Sequence, residues 1–434
     1  MTLSCADSMY CENFCAIDFG TSNSAIALPR SDGVQLVELE SGFRTMPTAL
    51  FYAVENLAPH EAPQQHLGRS AVAAYVEGVE GRLMRSMKSI LGSTLATQTT
   101  DVGAGRSVAY LDVIQHYLAH LKSRAEKVAQ QSLSRLVMGR PVFFVDDDVS
   151  RDAAAQAALM QAAQQVGFSD VVFQYEPIAA ALDYEMTITQ EELVLVADIG
   201  GGTSDFSLVR VGPQQRKKPD RRDDILANHG VHIAGTDFDR QIELASILPH
   251  CGFGARGPTG REVPSRVYFD LATWHLINTV YVPGRVAELR RMQSFYDDKL
   301  LHQRLMKVLD EHLGHALLGL AEKAKIEVAE HRMADIDLRL LDAALRISLQ
   351  EATALQAIEA DLQRIAAAAD ETLRQAAVPR EQVKTLYFTG GSTGLLPLAQ
   401  AIAARFPAAR VVRGDRLASV AQGLGLHAMR VFGR

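Results

Sequence analysis

The chain has 434 residues, of which 47% are hydrophobic and 22% charged, and it carries a net charge of -7. That length predicts two or more compact units with the composition of an ordinary globular protein. The acidic excess offers no footprint for nucleic acid, and no apolar run reaches the roughly 18 residues of a membrane span. The opening "MTLSCADSMYCEN" lacks the basic start and apolar stretch of a secretory signal, so the cytoplasm is the expected compartment. Cys5, Cys11, Cys15 and Cys251 form no C-x-x-C pair, and reduced structural thiols are expected.

Residues 1 to 12 read as a loose tail. Strand-like runs follow at "FCAIDF", "SAIALPR", "VQLVELE" and "TALFYAV", with a polar loop at 55 to 66. Leu111, Ile114, Leu118 and Leu121 mark one face of a helix over 110 to 131. "LVMGRPVFF" reads as a buried strand before an Ala-rich helix at 150 to 165. The strand "VVFQ" then leads into "YEPIAAALDY", a turn and a helix starting near Pro177. A strand hairpin at 193 to 211 ends in the mixed-charge loop "GPQQRKKPDRRDD", which reads as a solvated tip. A helix is predicted at 237 to 247. The segment 249 to 285, rich in Gly, Pro and aromatics and holding Trp274, breaks the pattern. It suits a partner surface or a cover for its own core equally. Long helices are expected at 295 to 331 and 349 to 377, the second packed on the body of the protein. "TLYFTGG" is the last strand before the helix "LLPLAQAIAARF". Strands mixed with helices in this way predict α/β layers.

Two phrases match each other. Ala16-Ile17-Asp18-Phe19-Gly20-Thr21-Ser22-Asn23-Ser24 and Ala197-Asp198-Ile199-Gly200-Gly201-Gly202-Thr203-Ser204-Asp205 both run strand, Asp, Gly turn, hydroxyl residues, strand. Repetition of a whole phrase suggests two related lobes. A glycine turn lets backbone N–H groups approach an anion, and Thr and Ser hydroxyls add donors to phosphate oxygens. Aspartates repel phosphate, so they make sense as anchors for a hydrated Mg²⁺. There is no G-x-x-x-x-G-K-[ST] loop, and strand follows the glycines where a dinucleotide fingerprint needs helix. "YFTGGST" at 387 to 393 supplies a third glycine turn, suited to a nucleotide's sugar or base.

In this order the phrases resemble the nucleotide-binding domain of the heat-shock protein 70 (DnaK-type) chaperones, in the actin and sugar-kinase superfamily. The resemblance extends over "FRTMPTALFY", "MKSILG", "YEPIAAALDY", "AGTDFD", "EKAKIEVA" and "FTGGST". It implies a two-lobed actin-like ATPase fold of duplicated ribonuclease H-like domains. Lobe I would take residues 13 to 190 with 412 to 434, and lobe II residues 191 to 411. It further implies ATP or ADP with Mg²⁺, held through Asp18 and Asp205. Asp198 and Glu176 would lie near the attacking water, with Lys88 beside the γ-phosphate and Thr203 as a further catalytic group. Thr21, Ser22, Gly201, Gly202 and Thr203 would donate to phosphate oxygens, and Gly20, Asn23, Gly200, Gly235 and Thr236 would also bind the nucleotide. Glu322 and Lys325, on one helical face, would meet the ribose opposite Gly390, Gly391 and Ser392.

The sequence also departs from the family. Gly394 stands where an arginine usually stacks on adenine, Ala329 replaces a serine and Ala234 a glycine, so the phosphate half is intact and the base half eroded. The family's peptide-gripping β-sandwich and helical lid are not expected, since "LHAMRVFGR" follows directly on the nucleotide domain. The segment 249 to 285 resembles a feature of the short bacterial YegD-type heat-shock-70-like group. The expected protein is a Mg-dependent ATPase that closes on ATP and acts through an unidentified protein partner or client, with neither nucleic acid nor membrane. The alternatives are a small-molecule kinase, a filament former, or a nucleotide sensor without turnover.

Overall fold

The structure, a computed structural model, describes residues 13–433 except 31–32, 56, 59–60, 94–95, 97, 104, 146–147, 219 and 415–418. The expected tail at 1–12, with Cys5 and Cys11, lies outside the described residues. The first part of the chain forms β1 (Phe14–Phe19), β2 (Asn23–Arg30), β3 (Gly33–Leu36), β4 (Thr45–Pro47), β5 (Ala49–Ala53) and β6 (Gln64–Leu67). Helix α1 (Arg69–Val76), β7 (Gly81–Arg85), β8 (Thr99–Gly103), β9 (Arg106–Ala109) and α2 (Tyr110–Ala129) come next. Strand β10 (Arg135–Arg140), α3 (Val149–Gln165), β11 (Asp170–Tyr175) and α4 (Glu176–Thr187) complete this half.

The second half opens with β12 (Glu192–Ile199), β13 (Ser204–Val211), β14 (Ile225–Val231) and α5 (Gly235–Ile242). Helices α6 (Arg266–Leu271), α7 (Pro283–Arg291), α8 (Lys299–Asp310) and α9 (Gly314–His331) lead to the ribbon β15 (Met333–Asp337) and β16 (Arg346–Gln350). Then come α10 (Glu351–Ala376), β17 (Val383–Thr389), α11 (Leu396–Ala403), β18 (Arg410–Arg413) and α12 (Ser419–Phe432).

Each half is built on one sheet, and the two sheets repeat each other. The order β11-β10-β1-β2-β3 in the first corresponds to β18-β17-β12-β13-β14 in the second. In both, the central strand is parallel to its neighbour on one side and forms an antiparallel hairpin on the other. Central strands covered on both faces read as continuous apolar runs, and successive side chains go to opposite faces. Thus Cys15, Ile17 and Phe19 of β1 pack into a core with α2 and α3, while Phe14 and Ala16 face α4 and α12. On β12, Leu195, Ala197 and Ile199 enter the core of the second half, and Val194 and Val196 join the same α4–α12 layer.

Helices α4 and α12 therefore form a buried layer common to both sheets. Their axes come close because Gly423 has no side chain: a Cβ there would sit 1.8 Å from the Ala179 carbonyl oxygen. Cys15 and Cys251 are buried free thiols.

Two expectations are refined, and the packing of a segment left open by the sequence is seen. The loop over 212 to 224 keeps Lys217, Lys218, Asp220, Arg222 and Asp223 exposed, as a solvated tip would, but it is anchored by a buried ion cluster. Arg221 is buried, pairing with Glu185 of α4 at 2.9 Å and with Asp224 at 2.6 Å. Charges that balance in sequence are here matched in space, which lets them leave water together. The expected helix over 295 to 331 is two, broken at His312, whose φ of 54° cannot continue an α-helix. The Gly314 amide that opens α9 donates to the Tyr281 hydroxyl. The segment 249 to 285, for which a partner surface and a core cover were equally open, packs on the core of its own half through Tyr268, Leu271, Ala272 and Val280.

Candidate functional site

The hairpins β1–β2 and β12–β13 end in glycine turns at the C-terminal ends of their central strands, and the two turns face each other. A Cβ on Gly201 would lie 2.9 Å from Ser22 Oγ. Between the halves runs a cleft of about 2190 Å³. Every residue singled out in sequence as a site candidate lines it, from Asp18 and Gly20 to Ser392. Sequence separations of up to several hundred residues close here because the two sheets share the α4–α12 layer.

The second turn is held from behind. The Gly235 amide donates to the Gly200 carbonyl, and the Thr236 amide and hydroxyl both donate to the Gly201 carbonyl at 2.8 Å. Ser392 Oγ donates to the Gly200 carbonyl at 2.6 Å. Gly235, Thr236 and Ser392 line the cleft and at the same time brace the turn with these donors. Gly390 permits the third turn to come this near. Its φ is +88°, and a Cβ would lie 2.4 Å from the Ile199 carbonyl oxygen. With the carbonyls tied back, the amides of Gly201 and Gly202 have no acceptor among the described residues. That is the arrangement of an anion-binding nest.

Four carboxylates gather beside the turns. Asp18 ends the buried run of β1, and Asp198 and Asp205 are cross-strand partners on β12 and β13. Glu176 opens α4. Lys88, in the turn of residues 87 to 90 after β7, pairs with Glu176 at 2.5 Å and is 9% exposed. Burial, then Glu176 and Asp198, push the Asp18 carboxyl up to about 8 against the pull of Lys88. Burial, then Asp205 and Glu176, raise Asp198 to about 7. Asp205 is raised too, chiefly by burial, although Thr203 donates to it.

One lysine among four carboxylates leaves a strong negative excess, so the donor set fits a divalent cation. Among the described residues no three His, Cys, Asp or Glu side chains converge as a closed ligand cage. A cation that keeps most of its waters and takes one or two carboxylates, as Mg²⁺ does, suits such a set.

The wall beyond the third turn is formed by α9. Glu322 and Lys325 line the cleft together, and Lys325 Nζ pairs with Asp239 of α5 at 2.6 Å and donates to the Gly235 carbonyl. Asp239 is raised to about 6 by burial, with Lys325 opposing. No local pattern in the sequence announces this pair, because its members lie on different helices. Arg140 and Tyr175 also line the cleft and were not anticipated. Arg140 pairs with Asp152 at 2.8 Å, which fixes the start of α3 beside the site.

Comparison with known proteins agrees with this geometry. Residues 14–244, just over half of the chain, match the family model described as Hsp70 protein. The chain is 29% identical over 231 residues to the chaperone protein DnaK of Thermosipho melanesiensis, covering 52% of this chain and 34% of that protein. It is 27% identical over 228 residues to the DnaK of Mycoplasmoides gallisepticum, with the same shares covered. A third relative is the mitochondrial heat shock 70-related protein 1 of Leishmania major, 27% identical over 236 residues, covering 51% of this chain and 35% of that protein. The matched region thus spans about a third of the length of these relatives. It includes both glycine hairpins and α5 and stops before Glu322, Lys325 and the third turn. With its duplicated sheets, facing glycine hairpins and a family match over more than half its length, the chain belongs to the Hsp70 protein family and carries that family's actin-like ATPase fold.

Proposed function

We propose that the protein is a Mg-dependent ATPase of heat-shock-70 type, whose two lobes close over ATP and open after hydrolysis. Lobe I comprises residues 13 to 190 with 412 to 434, and lobe II residues 191 to 411. The observation that carries this reading is the pair of facing glycine turns with four carboxylates and one lysine between them. The unpartnered amides of Gly201 and Gly202 would receive phosphate oxygens, with Thr21, Ser22 and Thr203 adding hydroxyls. Lys88 would offset charge on the terminal phosphate, and Asp198 and Glu176 would orient the attacking water. Asp18 and Asp205 would hold the hydrated Mg²⁺, which neutralises phosphate charge when bound. Phosphoryl transfer asks mainly for positioning and charge stabilisation, and these groups supply both. Output would pass to a protein partner or client.

Single-turnover hydrolysis of ATP with Mg²⁺ tests the reading. Asp205→Asn should shift the Mg²⁺ titration to higher concentration, and an unchanged titration would remove Asp205 from the metal role. A kinase of the same superfamily is the second reading. The cleft of about 2190 Å³ exceeds the roughly 300–1,000 Å³ of ordinary ligand pockets. It continues along β14 and residues 141 to 145, which leaves room for an acceptor. Release of inorganic phosphate without any added acceptor would favour hydrolysis over transfer.

A further inference from the structure

The two halves meet a second time, away from the α4–α12 layer. Tyr75 of α1 stacks on Trp274 with ring centroids 5.0 Å apart and planes at 25°. The same tyrosine meets His315, the second residue of α9, edge-on at 4.9 Å. Arg85, the last residue of β7, lies over the other component of the stack, its guanidinium 4.1 Å from the Trp274 ring centroid. Asn278 ties the group together, since it is hydrogen-bonded to the Tyr75 hydroxyl and accepts from His315 Nε2 at 3.1 Å. Tyr75 and Arg85 come from the first half of the chain, and the other three residues from the second.

The two junctions differ in kind. The α4–α12 layer is a continuous apolar core, which separates only if the fold is lost. The ring cluster is small, with His315 buried, Tyr75, Arg85 and Trp274 half-buried and Asn278 exposed, and contacts of this type are individually weak. A junction of that strength can open and re-form while the core layer stays intact. Both of its sides lead into the cleft. Arg85 is followed at once by Ser86 and Lys88, which line the cleft, and α9 runs from His315 to Glu322 and Lys325. Glu322 lies within electrostatic reach of Arg85 across the gap.

We infer that Tyr75, Arg85, Trp274, Asn278 and His315 form a latch that holds the two halves together at the cleft's second junction and governs how fast nucleotide leaves. This rests on the nucleotide-binding reading above, and it gives part of the segment 249 to 285 an internal role. Burial, with Arg85 adding to it, pushes His315 down to about 4, so the ring stays uncharged and compatible with the aromatic stack at neutral pH.

Trp274 is the only tryptophan in the chain, so its fluorescence reports on the latch without a label. Acrylamide quenching of the full chain should increase in Tyr75→Ala, with or without nucleotide. Release of fluorescently labelled ADP, chased with unlabelled ADP and Mg²⁺, should be about tenfold faster from both Tyr75→Ala and Trp274→Ala. The single-turnover rate of bound ATP should be unchanged. If Trp274→Ala does not fold, Tyr75→Ala, on a separate element, decides alone. Release at the parental rate overturns the latch. If the parental protein binds no labelled ADP, the nucleotide reading fails instead, and quenching still decides: equal quenching in parental and Tyr75→Ala protein overturns the latch.

Discussion

Replacing Lys88 by alanine removes the cation that pairs with Glu176 and opposes the upward shift of Asp18, Asp198 and Asp205. Two consequences separate. The first is on stability: breaking a buried pair costs about 3–5 kcal/mol when the remaining charge has no outlet. Glu176 is 15% exposed at its side chain, so water can reach the stranded carboxylate and the lower end, about 3 kcal/mol, is expected. Urea denaturation at neutral pH reads this. The second is on chemistry: loss of one preorganised positive group at a site of developing charge lowers turnover about 10²–10³-fold. Nucleotide affinity should stay within about one order of magnitude, because the glycine-turn amides remain in place. Single-turnover hydrolysis alongside equilibrium nucleotide binding measures both. Turnover at the parental rate in a folded, nucleotide-bound Lys88→Ala protein would refute the assignment of the lysine.

Mg²⁺ should bind more tightly as pH rises from 6 to 8. Asp18 and Asp198 stand at about 8 and about 7 in the metal-free fold, against a usual 3.8, and protons they hold must leave before a cation binds. Each displaced proton changes affinity about tenfold per pH unit, and titration calorimetry in buffers of different ionisation enthalpy would detect the release. The sign for stability is opposite: between pH 6.5 and 8, above the range in which the depressed His315 and His427 act the other way, Asp18 and Asp198 hold more protons in the fold than in the unfolded chain, so stability without added Mg²⁺ should fall as pH rises through that window. A metal-free protein that gains stability over the same range would contradict these shifts. Arg221→Ala leaves Glu185 without its ion pair in the interior and Asp224 with Lys218 alone, and it should destabilise by about 3–5 kcal/mol, read as a lower urea midpoint. Gly423→Ala forces a Cβ to 1.8 Å from the Ala179 carbonyl and should cost about 1–3 kcal/mol as α4 and α12 separate. Thermal unfolding no different from the parental protein would show that the layer yields freely.

The amino-acid sequence alone determined the local elements of the site. The two strand–Asp–Gly-turn phrases specify their hairpins through apolar runs and glycine placement, which need no distant partner, and Asp18, Asp198 and Asp205 are named by them directly. The chain's helices were legible for the same reason where their apolar faces recur regularly, as on α2, and were misread where His312 leaves helical φ, because apolar residues recur on both sides of the break and the single Gly314 beside it does not by itself end a helix. What tertiary structure decided is everything that depends on residues far apart in sequence. Lys88 finds Glu176, and Lys325 finds Asp239, only because the sheets stack on a common helical layer. Gly235, Thr236 and Ser392, expected to face the nucleotide, also brace the second glycine turn from a distance in sequence that no local pattern reveals. Arg221 and Asp224 of the charged loop after β13 became interior because Glu185 on another element was placed to receive Arg221. Trp274 looked equally suited to a partner and to the protein's own surface, since an aromatic side chain in a loop carries no local signal of what it will meet. Its stacking partner, Tyr75, is nearly two hundred residues earlier in the chain, and only the closing of one half of the fold onto the other brings the two rings together.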